Sequence, residues 1–216
     1  MREDINNVFR AVQAETQCPF AKTANITFAR SIGAEFSVPE AAERLYEDIS
    51  SYVKEGIVAA PDGLAVPLSN SVIGNDFNSL ASGFKSIYHA LKMNDGSSEE
   101  AVSIEDIEDP GWQLTISEQR LFTIVFSSLY PADNPRHVHE ANTTFLFFQP
   151  VQSFSSRIPF EKESPEFKRL KEHIRSRFAN AGLTYDGAIN DDSREAAKYI
   201  SPQDLGMKAV EWWKSN

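Results

Sequence analysis

Two histidines, His137 and His139, stand one residue apart in a polar loop just before the most strand-like run of the chain. In an extended backbone, residues two apart point the same way, so both imidazoles can reach one metal ion. Two imidazoles joined by a carboxylate from elsewhere in the chain form a ligand set typical of non-heme iron, and the same donors bind zinc. The pair therefore indicates either a metal site or two ordinary loop residues.

A single histidine can also be the axial ligand of a heme, and Cys18, which precedes a proline, offers a thiolate as the competing ligand. Cys18 has two further interpretations, as a small core residue or as a nucleophile that needs a neighbouring base. The apolar faces of a heme require an aromatic environment, and four phenylalanines near the histidine pair supply one: Phe145, Phe147, Phe148 and Phe154.

The negative net charge limits the kinds of partner that the protein is expected to bind. The 216 residues carry a formal net charge of -10, with a pI near 4.9, so the basic face that nucleic acids and anionic membranes require is not expected. The charged N-terminus and the lack of a long apolar run predict a cytoplasmic protein without signal peptide or membrane span. A lone cysteine excludes an intramolecular disulfide and a multi-cysteine zinc site. We expect a small-molecule ligand.

Hydrophobic spacing and turn residues place the elements that must position these side chains. Apolar residues at intervals of three and four predict helices over about 4–17, 37–56, 76–92 and 164–180. A last amphipathic segment over 202–213 is expected to pack Leu205, Val210 and one of two tryptophans onto the body. β-Branched and aromatic runs predict strands over 25–28, 112–117, 121–129 and 143–148.

Helices that flank a central cluster of strands, without regular strand–helix alternation, predict an α+β fold. We expect a single domain over residues 1–216, with a small central antiparallel or mixed sheet flanked by helices. The acidic polar stretch over about 93–110 is expected to be a solvated loop.

Several short motifs follow one another along the chain. They are Cys18-Pro19-Phe20-Ala21-Lys22, Tyr130-Pro131, Pro135-Arg136-His137, the run from Thr143 to Pro150, His173-Ile174-Arg175-Ser176-Arg177 and Tyr185-Asp186-Gly187. In this order the motifs resemble the YqcI/YcgG family, and the resemblance spans most of the sequence. The sequence departs from the family over residues 188–192, which lack a Pro/His-containing stretch of many members, and in the acidic 93–110 stretch.

The resemblance implies an oxygen-dependent enzyme that carries heme b and hydroxylates a nitrogen of a guanidino, arginine-like compound in specialised metabolism. It also implies O2 and an external electron donor as partners. His137 is the expected iron ligand, with His139 next and Cys18 as the thiolate alternative.

Polar side chains within the same motifs have hypothetical roles in such a site. Arg136, and either Arg175 or Arg177, can pair with a heme propionate, because a guanidinium matches a carboxylate in a bidentate geometry. Asp186 is the catalytic candidate, since its carboxylate can hold and orient a planar guanidinium substrate.

Two alternatives stay open at this point. One is a non-heme metal enzyme that uses the same pair, His137 and His139. The other is a non-catalytic binding protein, in which the acids between Glu99 and Asp109 contact a partner and the histidines are loop residues.

Overall fold

A five-stranded mixed sheet forms the centre of the computed structural model, which describes residues 4–103, 106–153, 160–161, 164–185 and 187–215. Glu105, Phe154 and Asp186 therefore lie outside the described residues. The strands are β1 (Ile26–Phe28), β2 (Gly63–Ser69), β3 (Leu114–Ile116), β4 (Gln119–Ser127) and β5 (Thr143–Pro150).

Helices occupy both sides of the sheet, and a π-helical turn, Tyr52–Gly56, follows the third of them. Short 3-10 turns lie at Glu195–Lys198 and Trp212–Lys214. The helices are α1 (Ile5–Glu15), α2 (Pro19–Lys22), α3 (Val38–Ser51), α4 (Ile57–Ala59), α5 (Asn70–Ile73), α6 (Phe77–Asn94), α7 (Glu99–Ser103), α8 (Pro165–Asn180) and α9 (Gly187–Asp191).

The strand order is β1-β2-β5-β4-β3, so β5 is the middle strand. It pairs antiparallel with β2 and β4, β3 pairs antiparallel with β4, and β1 pairs parallel with β2. Leu146 of β5 lies opposite Val66 on one side and Val125 on the other, and all three are fully buried. The predicted α+β fold, with a mixed sheet flanked by helices, is confirmed.

The two faces of the sheet bury different clusters. On one face, α3 and α6 cover the sheet together with the C-terminal Trp212, which forms part of the larger core. On the other face, α1 packs Phe9 against Phe145 and Phe147 at ring-centroid distances of 5.0 and 5.8 Å. The amphipathic spacing of α1, α3 and α6 places their apolar sides against the sheet.

The capping residues explain where two of the predicted helices begin. Ser164 Oγ accepts a hydrogen bond from the Phe167 amide at 3.1 Å and a proline follows it at the first helical position of α8. Asp76 accepts a hydrogen bond from the Ser79 amide at 2.9 Å at the start of α6, and its hydrogen bonds with Ser79 hold the pKa of Asp76 below its usual range.

In the described part of the chain, no helix has the length and apolar composition that crossing a bilayer requires.

Strand β2 was not predicted from the sequence. Pro67 stands within it, and a proline inside an apolar run is a signal against a strand because it lacks a backbone N–H. The strand forms because it is buried between β1 and β5, with Pro67 opposite Phe145. Tertiary burial therefore outweighs the local signal.

The prediction for residues 202–213 is wrong in two respects. The segment is irregular up to the turn at Trp212, and Leu205 is 57% exposed. Gly206 adopts a positive φ of 77°, a left-handed conformation that does not occur within a regular helix. The expectation that Val210 and a tryptophan pack on the body is confirmed, since Val210 packs against the main core and Trp212 is fully buried.

The expected solvated loop over 93–110 is only partly correct. Helix α6 continues to Asn94, and Glu99–Ser103 forms α7 with Val102 buried in the main core. Ile107 also packs against the main core, and Glu108 pairs with Lys214, so this polar stretch is held against the body of the protein by several contacts.

We expect Phe145→Ala to lower the free energy of unfolding by about 3–5 kcal/mol, because it removes a fully buried ring from the middle strand. Val58→Ala is the matched control, since Val58 is 91% exposed and its loss should change stability by no more than about 0.5 kcal/mol. Urea unfolding followed by circular dichroism measures both. Equal effects of the two substitutions would contradict this packing.

Candidate functional site

The loop that carries the histidine pair is bonded to the end of β4. The Ser127 amide donates to the Arg136 carbonyl at 3.0 Å, and the Val138 amide donates to the Ser127 carbonyl at 3.2 Å. Val138 is fully buried, so His137 and His139 lie together on the opposite side, with ring centroids 4.8 Å apart. This common orientation is the one predicted from their spacing.

His137 is held in one tautomer by a backbone carbonyl. Its Nδ1 lies 2.7 Å from the Tyr130 carbonyl oxygen, and because a carbonyl only accepts hydrogen bonds, Nδ1 must carry the proton. Nε2 then carries the lone pair. A half-buried imidazole in this state can bind a metal ion or accept a proton through Nε2.

His139 contacts a carboxylate from the other end of the chain. Its Nε2 lies 3.4 Å from Glu15 Oε2, at the last residue of α1, and the two side chains are 61% and 66% exposed. Solvent screening makes such an exposed pair weak. Its importance is therefore that it brings a carboxylate next to the histidine pair.

A small cavity of about 60 Å³ lies between these groups, lined by Glu15, Thr16, Asn134, His137 and His139 together with apolar side chains. Across the described ranges, no three histidine, cysteine, aspartate or glutamate side chains are already arranged around one metal position. Five of its nine lining residues are polar, and the cavity has room for an ion with a few waters.

Arg136 points away from this cavity and fastens the loop to the C-terminal part of the chain. Its Nη1 donates to the Tyr199 carbonyl at 2.9 Å and its Nη2 donates to the Lys198 carbonyl at 2.8 Å. The residue as a whole is half-buried, but its guanidinium lies deep enough that lost hydration lowers the pKa of Arg136. Both terminal nitrogens thus have a structural role, and the propionate contact of Arg136 stays a prediction.

Several of the predicted site residues lie within electrostatic range of Tyr185. Burial raises the pKa of its hydroxyl, Cys18 acts in the same direction, and the charges of Arg136 and Arg175 act in the opposite direction. Its ring stacks on Phe178 of α8 with centroids 4.5 Å apart. Cys18, Arg136 and Arg175 are therefore within electrostatic range of one phenol, although they are far apart in sequence.

Arg175 fixes the start of α9 to α8. Its Nη2 donates to the Gly187 carbonyl at 3.1 Å and to Asp191 at 2.6 Å, and Lys171 also pairs with Asp191. These ion pairs hold the pKa of Asp191 below its usual range. The structure leaves the predicted role of Asp186 open, because that residue lies outside the described ranges.

The remaining histidines lie in helices, as predicted. His173 is an exposed residue of α8. His89 lies in α6 and lines a wide groove of about 980 Å³ together with Lys85 and Ser82. This groove contains none of the residues predicted to carry chemistry, so volume alone does not locate the site.

A heme does not fit the residues beside His137 in this arrangement. Cofactor pockets enclose roughly 300–1,000 Å³, whereas the cavity here measures about 60 Å³. Phe145 and Phe147 pack against Phe9 of α1, and Phe148 belongs to the cluster on the other face of the sheet. Three of the four aromatic residues predicted to face a heme are therefore used in the protein core, and the fourth, Phe154, lies outside the described residues.

No family model, no curated protein and no solved structure matches this chain. The resemblance to the YqcI/YcgG family thus stays a prediction that depends on short motifs.

Sequence reasoning missed Glu15 and Tyr185 as site residues. Glu15 is one of many surface acids and lies 124 residues from His139, so no local pattern connects them. Tyr185 was given only as part of the motif Tyr185-Asp186-Gly187, with no role of its own. Its place in one of the motifs that carry the resemblance is the signal that marks it.

We expect Arg136→Lys to lower the free energy of unfolding by about 1.5–3 kcal/mol, because hydrogen bonds from a charged donor contribute about this much. A lysine ammonium cannot span both carbonyls as the guanidinium fork does. The control is Arg120→Lys, an exposed arginine that donates to one carbonyl. Urea midpoints that shift equally for both variants would count against the structural role of Arg136.

Proposed function

We propose that this protein is an iron-dependent oxygenase of the cytoplasm that acts on a small nitrogen-containing molecule, with His137 as an iron ligand. The observation that carries the proposal is the 2.7 Å contact between His137 Nδ1 and the Tyr130 carbonyl oxygen. Histidines that bind metals almost always donate their other N–H to a carbonyl, carboxylate or water. This contact fixes the ring orientation and makes Nε2 the better donor.

The surroundings of His137 support a rigid ligand. Tyr130 is buried, and its hydroxyl accepts a hydrogen bond from the Ser201 amide at 3.0 Å. The His137 amide itself donates to the Asn134 carbonyl at 2.9 Å. Both the imidazole and the backbone of His137 are therefore held before any metal binds, which lowers the entropy lost on binding.

The choice of oxygen and of a nitrogen substrate is supported by the resemblance. Bound iron supplies the activation of O2, with electrons from an external donor. The formal charge of -10 supports a cationic substrate such as a guanidino compound, because a negative protein attracts cations. We propose that the protein holds such a substrate next to the histidine pair.

The heme-dependent N-hydroxylase implied by the resemblance is the second candidate. The specific observation in its favour is that four of the matched motifs meet, since Tyr185 interacts electrostatically with Cys18, Arg136 and Arg175. A heme at His137 requires a much wider opening than the 60 Å³ cavity. We therefore place a bare iron site first.

We expect the purified full-length protein, reconstituted with Fe(II) under anaerobic conditions, to bind about one equivalent of iron, and His137→Ala to abolish that binding. Alanine removes the Nε2 atom of His137 that is proposed to bind the iron, and this loss explains the expected result. Iron content by mass spectrometry and absorption spectra after separate reconstitution with heme provide the measurement. His173→Ala is the matched control, because it removes an exposed imidazole elsewhere.

The same samples separate the candidates. A heme absorption band that disappears in His137→Ala would favour the heme enzyme, whereas a band that disappears only in His89→Ala would locate the cofactor in the wide groove and overturn the role of His137. Binding of neither iron nor heme by the wild-type protein would overturn the proposal and leave the non-catalytic binding protein.

A further inference from the structure

Three possible metal donors from two distant parts of the chain line the same small cavity. Glu15 ends α1, whereas His137 and His139 belong to the loop after β4. Glu15 and His139 are separated by 124 positions in the sequence, so only the packing of α1 on the sheet brings them together.

We propose that Glu15, His137 and His139 are the three protein ligands of one Fe(II) ion, which binds at this cavity without a macrocycle. This inference rests on the proposed function and deepens it by naming the ligand set. Two imidazoles and one carboxylate on one side of an ion leave its other positions open, and this set is typical of non-heme Fe(II) oxygenases as well as of catalytic zinc sites.

The contact between Glu15 and His139 has the separation expected of two ligands of one ion. At 3.4 Å, the distance from Glu15 Oε2 to His139 Nε2 exceeds the roughly 2.7–3.2 Å of an ordinary N–H···O hydrogen bond. Donors that each lie about 2.1 Å from a metal, at tetrahedral to octahedral angles, are roughly 3.0–3.4 Å apart. This separation suits an ion pair as well as a shared metal ion, and the three donors do not surround one position in the described residues, so binding requires side chains to rotate.

The mobility of the three side chains differs in a way that suits metal binding. His137 is fixed by the Tyr130 carbonyl, whereas Glu15 and His139 are 66% and 61% exposed. Exposed side chains rotate on a timescale of picoseconds to nanoseconds. A small rotation of His139 and Glu15 therefore completes the set around the Nε2 atom of His137.

The size and polarity of the cavity also favour a hydrated ion. Its volume of about 60 Å³ holds an ion with a few waters, and Thr16 and Asn134 add polar atoms to its wall. The carboxylate of Glu15 supplies the negative charge that offsets part of the charge of a divalent ion. The open side is then available to water, O2 or substrate.

Anaerobic titration of the full-length protein with Fe(II), followed by calorimetry, tests this ligand set. We expect Glu15→Gln to weaken Fe(II) binding by more than about 100-fold, since even the loss of an outer-shell partner costs roughly 10- to 100-fold in metal affinity. Glu140→Gln is the matched control, because Glu140 is an exposed acid directly beside His139. Its Fe(II) affinity should equal that of the wild type.

Circular dichroism melting of each variant checks the fold, and Glu15 is exposed enough that glutamine should leave the melting temperature unchanged. Wild-type affinity in Glu15→Gln, with binding lost in His137→Ala, would overturn the ligand set and leave the proposed function intact. Equal weakening by Glu140→Gln would also overturn it, because a general charge effect would then explain the result. Absence of Fe(II) binding by the wild type would overturn both.

Discussion

Pairing of β5 along both edges is the constraint on which the rest of the structure depends. The strand is held between β2 and β4, and both of its faces are covered, which explains its nearly continuous apolar sequence. The hydroxyls of Ser127 and Thr144 are 2.7 Å apart, so the end of β4 and the start of β5 are fastened side by side. The loop between them must leave the sheet and return at one place, and it carries the histidine pair there.

Sequence patterns predicted the parts of this arrangement that depend on neighbouring residues. Hydrophobic spacing and turn residues predicted α6 and α8, and the two-residue repeat of an extended chain placed His137 and His139 on one side. Strand β2 was missed because the local signal of Pro67 opposes the burial that forms it. Glu15 could not be predicted as a neighbour of His139, because no short-range sequence pattern indicates which surface acid the packing of α1 brings next to the loop.

The candidate site combines a rigid centre with a loose periphery. His137 is fixed by backbone hydrogen bonds, whereas Glu15 and His139 are exposed and connected by a long contact. Side chains that must reorganise lose entropy on binding, and the fixed position of His137 limits that loss to two of the three proposed ligands. Phe145, Phe147 and Phe148, in contrast, fill the two sides of the sheet and contribute to stability. The proposed ligands and these core phenylalanines thus belong to different parts of the fold.

The hydrogen bonds from Arg136 to the carbonyls of Lys198 and Tyr199 have a consequence for biosynthesis. Translation adds roughly 5–20 residues per second, and a segment can complete its contacts only after its partners have left the ribosome. The histidine loop is made about sixty residues before its anchor, since Arg136 and Tyr199 are 63 positions apart in the sequence. The loop therefore reaches its final geometry only after Lys198 and Tyr199 have left the ribosome, and a nascent chain in which they are still inside the ribosome should lack the finished loop.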